Sequence, residues 1–408
     1  MLSSFTHRRI ASLTTALAAL ATLSATGSAS AATLGAGPNT EAGYGVATDG
    51  NTVVVGDPGA LGDKGAVEVF DWVAGTWTRT ATLIPADATA GDRLGASVAI
   101  QGDTIVAGAP GHAGDQGAIY TFARADRSQT AELTAGAGAP GDALGTSLAI
   151  DGDTVVAGAP GHDAGRGAVA LFDRTGQTAE LAADGGAPGD HAGAAVAIGG
   201  DTVVAGAPGA DVVYTFARTG PATRTQTASL TSSAGRPSDR LGAAVAIDGD
   251  TIVAGAPGTA IGAASDRGVA YTFSRTGPAD RTQTAELVAT DGRTNDLLGT
   301  SVAIAGGTIL VGAPLHQAGA RSGGGAVLEF AIDGQPLLTQ TAELAGPRAR
   351  RQSDYGFSVA LAGDTLVAGA PGAGVATVVS RAAAATVRRR KHGPARRGSA
   401  RRRTSAAA

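Results

Sequence analysis

The sequence predicts an all-β chain: a seven-bladed β-propeller of four-stranded blades, closed by an N-terminal strand that completes the last blade. Three observations carry this reading. A Gly-x-Pro tripeptide recurs seven times, at Pro58, Pro110, Pro160, Pro208, Pro257, Pro314 and Pro371, in steps of 48 to 57 residues. Every copy sits in the same frame of four short strand-like runs separated by turn residues. The composition, with 63 Gly, 4% aromatic residues and a 43% apolar share drawn mostly from Ala and Val, suits close-packed sheets better than a Leu-rich helical bundle.

The second copy shows the frame. Leu94-Gly95 opens an alternating run, Ser97-Val98-Ala99-Ile100, and a Gly102-Asp103 turn follows. Thr104-Ile105-Val106-Ala107 leads into Gly108-Ala109-Pro110, where Pro ends pairing because it has no N–H to give. After a Gly-rich loop come Ala118-Ile119-Tyr120-Thr121-Phe122 and Gln129-Thr130-Ala131-Glu132-Leu133, the third and fourth strands. Asp151-Gly152-Asp153-Thr154 in the third copy is a tight hairpin signal, with Gly supplying the positive φ of the turn. A four-stranded unit of this size buries too little alone, so the units must stack around an axis.

Ring closure is readable from spacing. The strand-four Leu and the next opening Gly lie 12 residues apart in six copies, from Leu83–Gly95 to Leu344–Gly356. Leu34 precedes Gly45 by 11, so residues around Ala32-Thr33-Leu34 read as an orphan fourth strand. The last copy lacks one after Val375–Val379, and pairing the two removes both free edges. Ala382–Val387 is the alternative occupant of that place.

An aromatic-Gly or Leu-Gly opening followed about 14 residues later by Gly-Ala-Pro resembles the FG-GAP repeat of integrin α-subunit propellers and of many exported bacterial proteins. Six copies have Gly-Ala-Pro and the first has Gly56-Asp57-Pro58, with Tyr44-Gly45 and Tyr355-Gly356 as aromatic openings. The resemblance covers roughly residues 32–380 and implies the propeller fold, an extracellular location and an adhesion-like role. In the integrin relatives, the hairpins between strands one and two carry Asp-x-Asp-x-Asp-Gly-x-x-Asp and bind calcium. Here those hairpins read Asp49-Gly50-Asn51, Gly102-Asp103, Asp151-Gly152-Asp153, Gly200-Asp201, Asp248-Gly249-Asp250, Gly306-Gly307 and Gly363-Asp364. Calcium takes six to eight oxygens, which a two-residue turn does not supply, so no cofactor is expected and the family's calcium sites are not carried over.

The ends differ from the middle. Residues 1–31 read as an export signal peptide, with His7-Arg8-Arg9, an apolar stretch from Ile10 to Leu23, and small residues at cleavage positions after Ala29 or Ala31. Arg8-Arg9 leaves the twin-arginine route open beside the general one. Residues 381–408 carry ten Lys or Arg and no acid, a basic disordered tail. The stretch 32–380 holds 19 basic and 35 acidic residues, a formal charge of −16. The tail therefore reads as a tether to an anionic envelope polymer or as a solubilising extension. No aromatic residues interleave its charges, so nucleic acid is not an expected partner. No later apolar run reaches the ~20 residues of a transmembrane segment, and the absence of Cys excludes disulfides and thiol chemistry.

Candidates for chemistry are few. Asp92, Asp142, Asp190, Asp239 and Asp296 lie three residues before the opening Gly, with Asp354 one closer, and repetition favours turn capping over a cation ring. His112 and His162 follow Gly-Ala-Pro-Gly, His316 lies close to that place and His191 follows Asp190; all four read as exposed loop histidines. Trp72 and Trp77 read as cover for a blade edge. No nucleophile elbow or Ser-His-Asp set has supporting context. The informative asymmetry is loop length: from Pro to the strand-three Phe is 12 residues in copies one to three, 8 in copy four, and 16 in copies five and six. Loops 259–268 and 315–325, with Asp266, Arg267, His316, Gln317 and Arg321, are the expected ligand contacts. The expectation is a secreted or cell-surface, non-enzymatic propeller binding extracellular protein or glycan. A polysaccharide-acting enzyme with a rim active site and a structural envelope scaffold are the alternatives.

Overall fold

The computed structural model describes residues 31–35, 40–173, 176–233, 235–236, 238–317, 324–332, 337–338, 340–346 and 353–380. The segment 1–30 that reads as an export signal, the basic stretch 381–408, the alternative closing segment Ala382–Val387 and Arg321 lie outside them. Seven sheets form, one per repeat, and each runs strand one to strand four from the inside outward. Blade two is representative, with strands Ser97–Gln101, Thr104–Ala109, Ala118–Ala123 and Gln129–Leu133, all antiparallel. First strands of successive blades pack side by side around the ring.

The fourth strand of blade seven is Ala31–Leu34, paired antiparallel with Val375–Ser380, with Leu34 opposite Ala376. Closure is thus by the N-terminal strand, as expected from sequence. Packing follows from it. Each of the seven apolar clusters joins two neighbouring blades, and the closing one unites Leu34, Val46, Val53 and Val55 with Val367 and Val378. No blade holds a core of its own, which is why a chain of Ala and Val suffices: the sheets approach closely and share their faces.

The repeat motif is the contact that sets this approach. The Gly of Gly-Ala-Pro in one blade faces the opening Gly of the next, and a Cβ added to Gly108 would stand 2.0 Å from the Gly145 carbonyl oxygen. Gly145 itself holds φ +86°, and its N–H donates to the Gly158 carbonyl of its own blade. Ser97, Ser147, Ser301 and Ser358 each donate across the same seam to the next opening Gly. Ser358 donates to Gly43, and the Gly43 N–H donates to Gly56, so Gly43 rather than Gly45 opens blade one. Tyr44-Gly45 imitates the aromatic-Gly signature but stands two residues late, at the place of Ser97 in blade two.

The loops between strands three and four of blades four, five and six lend short strands, Thr223–Arg224, Asp280–Thr282 and Leu337–Leu338, parallel to the outer strand of the preceding blade. They cover edges that would otherwise present unpaired backbone groups.

Candidate functional site

The two rims are built differently. On the rim of the strand-one hairpins, aspartates are taken by arginines of the next blade. Arg124 reaches Asp49 at 2.8 Å and Thr52, and Arg218 reaches Asp151 at 2.8 Å and Thr154. Asp248 accepts the Gly306 N–H from blade six. A guanidinium thus stands against two of these hairpins, and its charge is spent on fastening blades together.

The opposite rim carries the loops between strands two and three and those that open each blade. Asp92, Asp142, Asp190, Asp239 and Asp296 each accept the backbone N–H three residues upstream, at 2.6 to 2.9 Å. They are turn caps, as the repetition suggests. Asp354 is not a member: it occupies the left-handed position two before Gly356, where Arg93, Ala143, His191, Arg240 and Leu297 stand in other blades. Ser353 takes the capping place and donates to Gly324 instead.

The exposed-histidine expectation fails for His316. His112, His162 and His316 each turn Nδ1 toward the capping Asp of their own blade, at 3.2, 3.0 and 2.8 Å. His112 and His162 stay partly exposed, but His316 is 0% exposed. It stands two residues after Pro314, the same place as His112 after Pro110 and His162 after Pro160, so the spacing carries no sign of burial. Around its Nε2 stand Asp291 Oδ1 at 3.5 Å and Glu343 Oε1 at 3.7 Å, and that nitrogen is buried without a hydrogen-bond partner. Burial alone would lower the pKa of His316, but the hydrogen bond to Asp296 and the charges of Asp296, Asp291 and Glu343 outweigh it and hold the pKa above the ordinary value. Burial pushes the Glu343 carboxyl up, opposed by His316 and reinforced by Asp291 and Asp296.

The sequence-expected contacts fall around this cluster without all joining it. His316 is its centre. Gln317 accepts from the Arg293 guanidinium at 2.7 Å, beside the Asp296 turn. Arg267 donates to the Ala289 carbonyl, and the Asp266 carbonyl accepts the Leu297 N–H. The long loop of blade five therefore braces the segment 289–298 that presents Asp291 and Asp296. Asp291 and Glu343 were missed from sequence. Their signal is a fixed set in each blade: an Asp five before the cap, the cap, His 20 after it, and the acid of the strand-four Gln-Thr-Ala-Glu-Leu. Only blades two (Asp87, Asp92, His112, Glu132) and six fill all four places; blade three has Ala137 at the first. The same two sets are the groups of three or more metal-capable side chains among the described residues.

In blade two the set is closed by a hydroxyl. Tyr120 donates to Asp87 Oδ2 at 3.2 Å and lies edge-on to His112, and burial, with Glu132 and Asp87 nearby, pushes its pKa up so that it stays a donor. Blade six has the buried Leu328 at that place. Elsewhere on this rim, an open depression of about 410 Å³ is bordered by His162, Arg166, Glu180 and Gly185.

Fold and rims together define a repeat propeller whose openings and Gly-Ala-Pro turns form the blade seams. The family model of the FG-GAP repeat matches residues 77–122, 128–172, 175–217, 224–273 and 282–327, more than half of the chain. The chain belongs to the FG-GAP repeat family. The first matched unit begins in strand four of blade one and ends in strand three of blade two, the same one-strand offset that the closing strand resolves. No curated protein matches the sequence significantly. Among solved structures, the crystal structure of the computationally designed Ika8 protein (crystal packing No. 1 in P63) is similar, with a TM-score of 0.51 and 15% identity. The similarity covers 84% of this chain and 97% of that one, and it bears on the fold alone.

Proposed function

We propose that the chain is an exported, surface-associated, non-enzymatic propeller that binds extracellular protein or glycan through the rim of blades five and six. The observation that supports this is where irregularity remains unspent. The variable loops between strands three and four are consumed in covering neighbouring sheet edges. The loops 259–268 and 315–325 are instead the longest between strands two and three by sequence, and the described part of the first braces segment 289–298 on the opposite rim. No helix among the described residues is long and apolar enough to cross a membrane. Retention at the surface falls to the basic tail, whose charges complement anionic envelope polymers and leave the rim facing outward.

The test is binding of the whole chain to an array of glycans and matrix proteins at low and high salt. High salt screens attachment through the tail. The expected result is a salt-resistant hit weakened by Asp266→Asn or Arg321→Ala. Binding that vanishes entirely at high salt, or that ignores both substitutions, overturns the rim assignment.

A further inference from the structure

We propose that blade six holds a first-row transition-metal dication, best matched by Zn²⁺, between His316 Nε2, Asp291 Oδ1 and Glu343 Oε1. The inference goes beyond the adhesion reading and does not rest on it. The first argument is the orphaned nitrogen. His316 is wholly buried, its Nδ1 is committed to Asp296 at 2.8 Å, and its Nε2 points at two carboxylates without a hydrogen bond to either. If a proton were the intended occupant, Nε2–H would close on one oxygen at the usual ~2.9 Å. Instead Nε2 stands at 3.5 Å from one oxygen and 3.7 Å from the other.

That spacing suits an ion. Zinc binds His nitrogen and carboxylate oxygen at ~2.0–2.2 Å in tetrahedral geometry, which separates the ligand atoms by ~3.3–3.6 Å. The three ligand atoms all lie within 4.8 Å of one another. An imidazole with two carboxylates favours zinc or a neighbouring transition metal, because calcium and magnesium prefer all-oxygen shells with more ligands. Asp296 completes the pattern of a carboxylate on the far nitrogen, which fixes the tautomer and aims Nε2. It is itself fixed by the Arg293 N–H at 2.6 Å. Three carboxylates around one imidazole also leave an excess negative charge that a dication offsets. Asp291 is 46% exposed, giving an entry path and an open fourth position on the rim.

The test uses the whole chain stripped with a chelator, titrated calorimetrically with Zn²⁺ and followed with Co²⁺ by visible absorption. The expected result is one tight Zn²⁺ per chain, a tetrahedral Co²⁺ spectrum that Zn²⁺ erases, and no competition from Ca²⁺. Glu343→Gln and Asp291→Asn, both at partly exposed side chains, should weaken binding by more than the ~10–100-fold typical of losing an outer partner. Circular dichroism of the metal-free variants checks that they fold. No Zn²⁺ binding by the wild-type chain, or binding and spectrum retained in both variants, overturns the proposal; the latter outcome would assign the ion to surface histidines.

Discussion

Blades two and six carry the same four residues in the same frame, and they have become different objects. In blade two, the His112 side chain is 17% exposed and 3.2 Å from Asp92, and the Tyr120 hydroxyl occupies Asp87. In blade six, the His316 side chain is 1% exposed and 2.8 Å from Asp296, and Leu328 replaces the phenol. One polar set stays open to water at His112, whose Nε2 lies 3.6 Å from Glu132; the other is sealed from water with a nitrogen left over. Strand three has Tyr120 in blade two and Leu328 in blade six, and the cap-supporting Thr89 gives way to Arg293, so a symmetric repeat acquires a site partly by omission. Capping aspartates recur in nearly every blade because turns need them. The orphaned imidazole occurs once among the described residues, because only there does burial outrun partnering.

The largest expected difference between the blades is in stability. His316→Ala strips a buried pair of one partner and leaves the Asp296 carboxylate, 2% exposed, without its counter-charge. Breaking a buried ion pair in this way costs about 3–5 kcal/mol. His112→Ala should cost roughly half as much, since water reaches the gap and Asp92 keeps two hydrogen bonds from Thr89. Urea denaturation of the two variants measures both, and equal losses would mean that burial does not distinguish the blades.

The next effect is a gain. Tyr120→Phe removes the hydroxyl that donates to Asp87 while keeping the ring that packs between blades one and two. If the phenol is what closes blade two, this variant should raise Zn²⁺ stoichiometry from one to two per chain, with the second site the weaker because His112 remains partly exposed. Leu328→Tyr should do the reverse in blade six and abolish tight binding. Calorimetry decides both, and an unchanged stoichiometry in Tyr120→Phe would remove the hydroxyl from the explanation.

Most of the fold was legible because its cause is repetition. Gly-x-Pro marks the blade seam in every copy, and the Leu ending strand four in the other blades pointed to Leu34 as the displaced closing strand, although its step to the opening Gly43 is 9 residues where the others are 12. In blade one a local likeness imitates the pattern: Tyr44-Gly45 matches the signature better than Ala42-Gly43, yet Gly43 makes the seam contact with Ser358. The lent strands such as Asp280–Thr282 could not be read, since two or three polar residues have no period. The site was half legible. The place of His316 is readable from its step of 20 after Asp296, but its burial is not. Asp291 and Glu343 became visible only when four places were compared across blades together instead of one at a time.

The smallest expected effect tests the residue that supports the cap rather than the cap itself. Desolvation raises the Asp92 pKa, but the Thr89 N–H, the Thr89 hydroxyl and His112 together hold it below the usual carboxylate range. Blade six has Arg293 at the place of Thr89, which gives Asp296 the backbone N–H alone. A carboxyl with a depressed folded-state pKa contributes stability that is present above its unfolded value of ~3.9 and is lost as pH falls through the folded value. Thr89→Val removes one donor to that carboxylate, so it should cost about 1 kcal/mol near neutral pH. The difference from wild type should narrow as pH drops below 4 or so, where both chains carry a protonated Asp92. Thermal midpoints measured across that range check the sign: a deficit that persists unchanged into acid would place the Thr89 hydroxyl in turn geometry and leave the Asp92 charge out of the account.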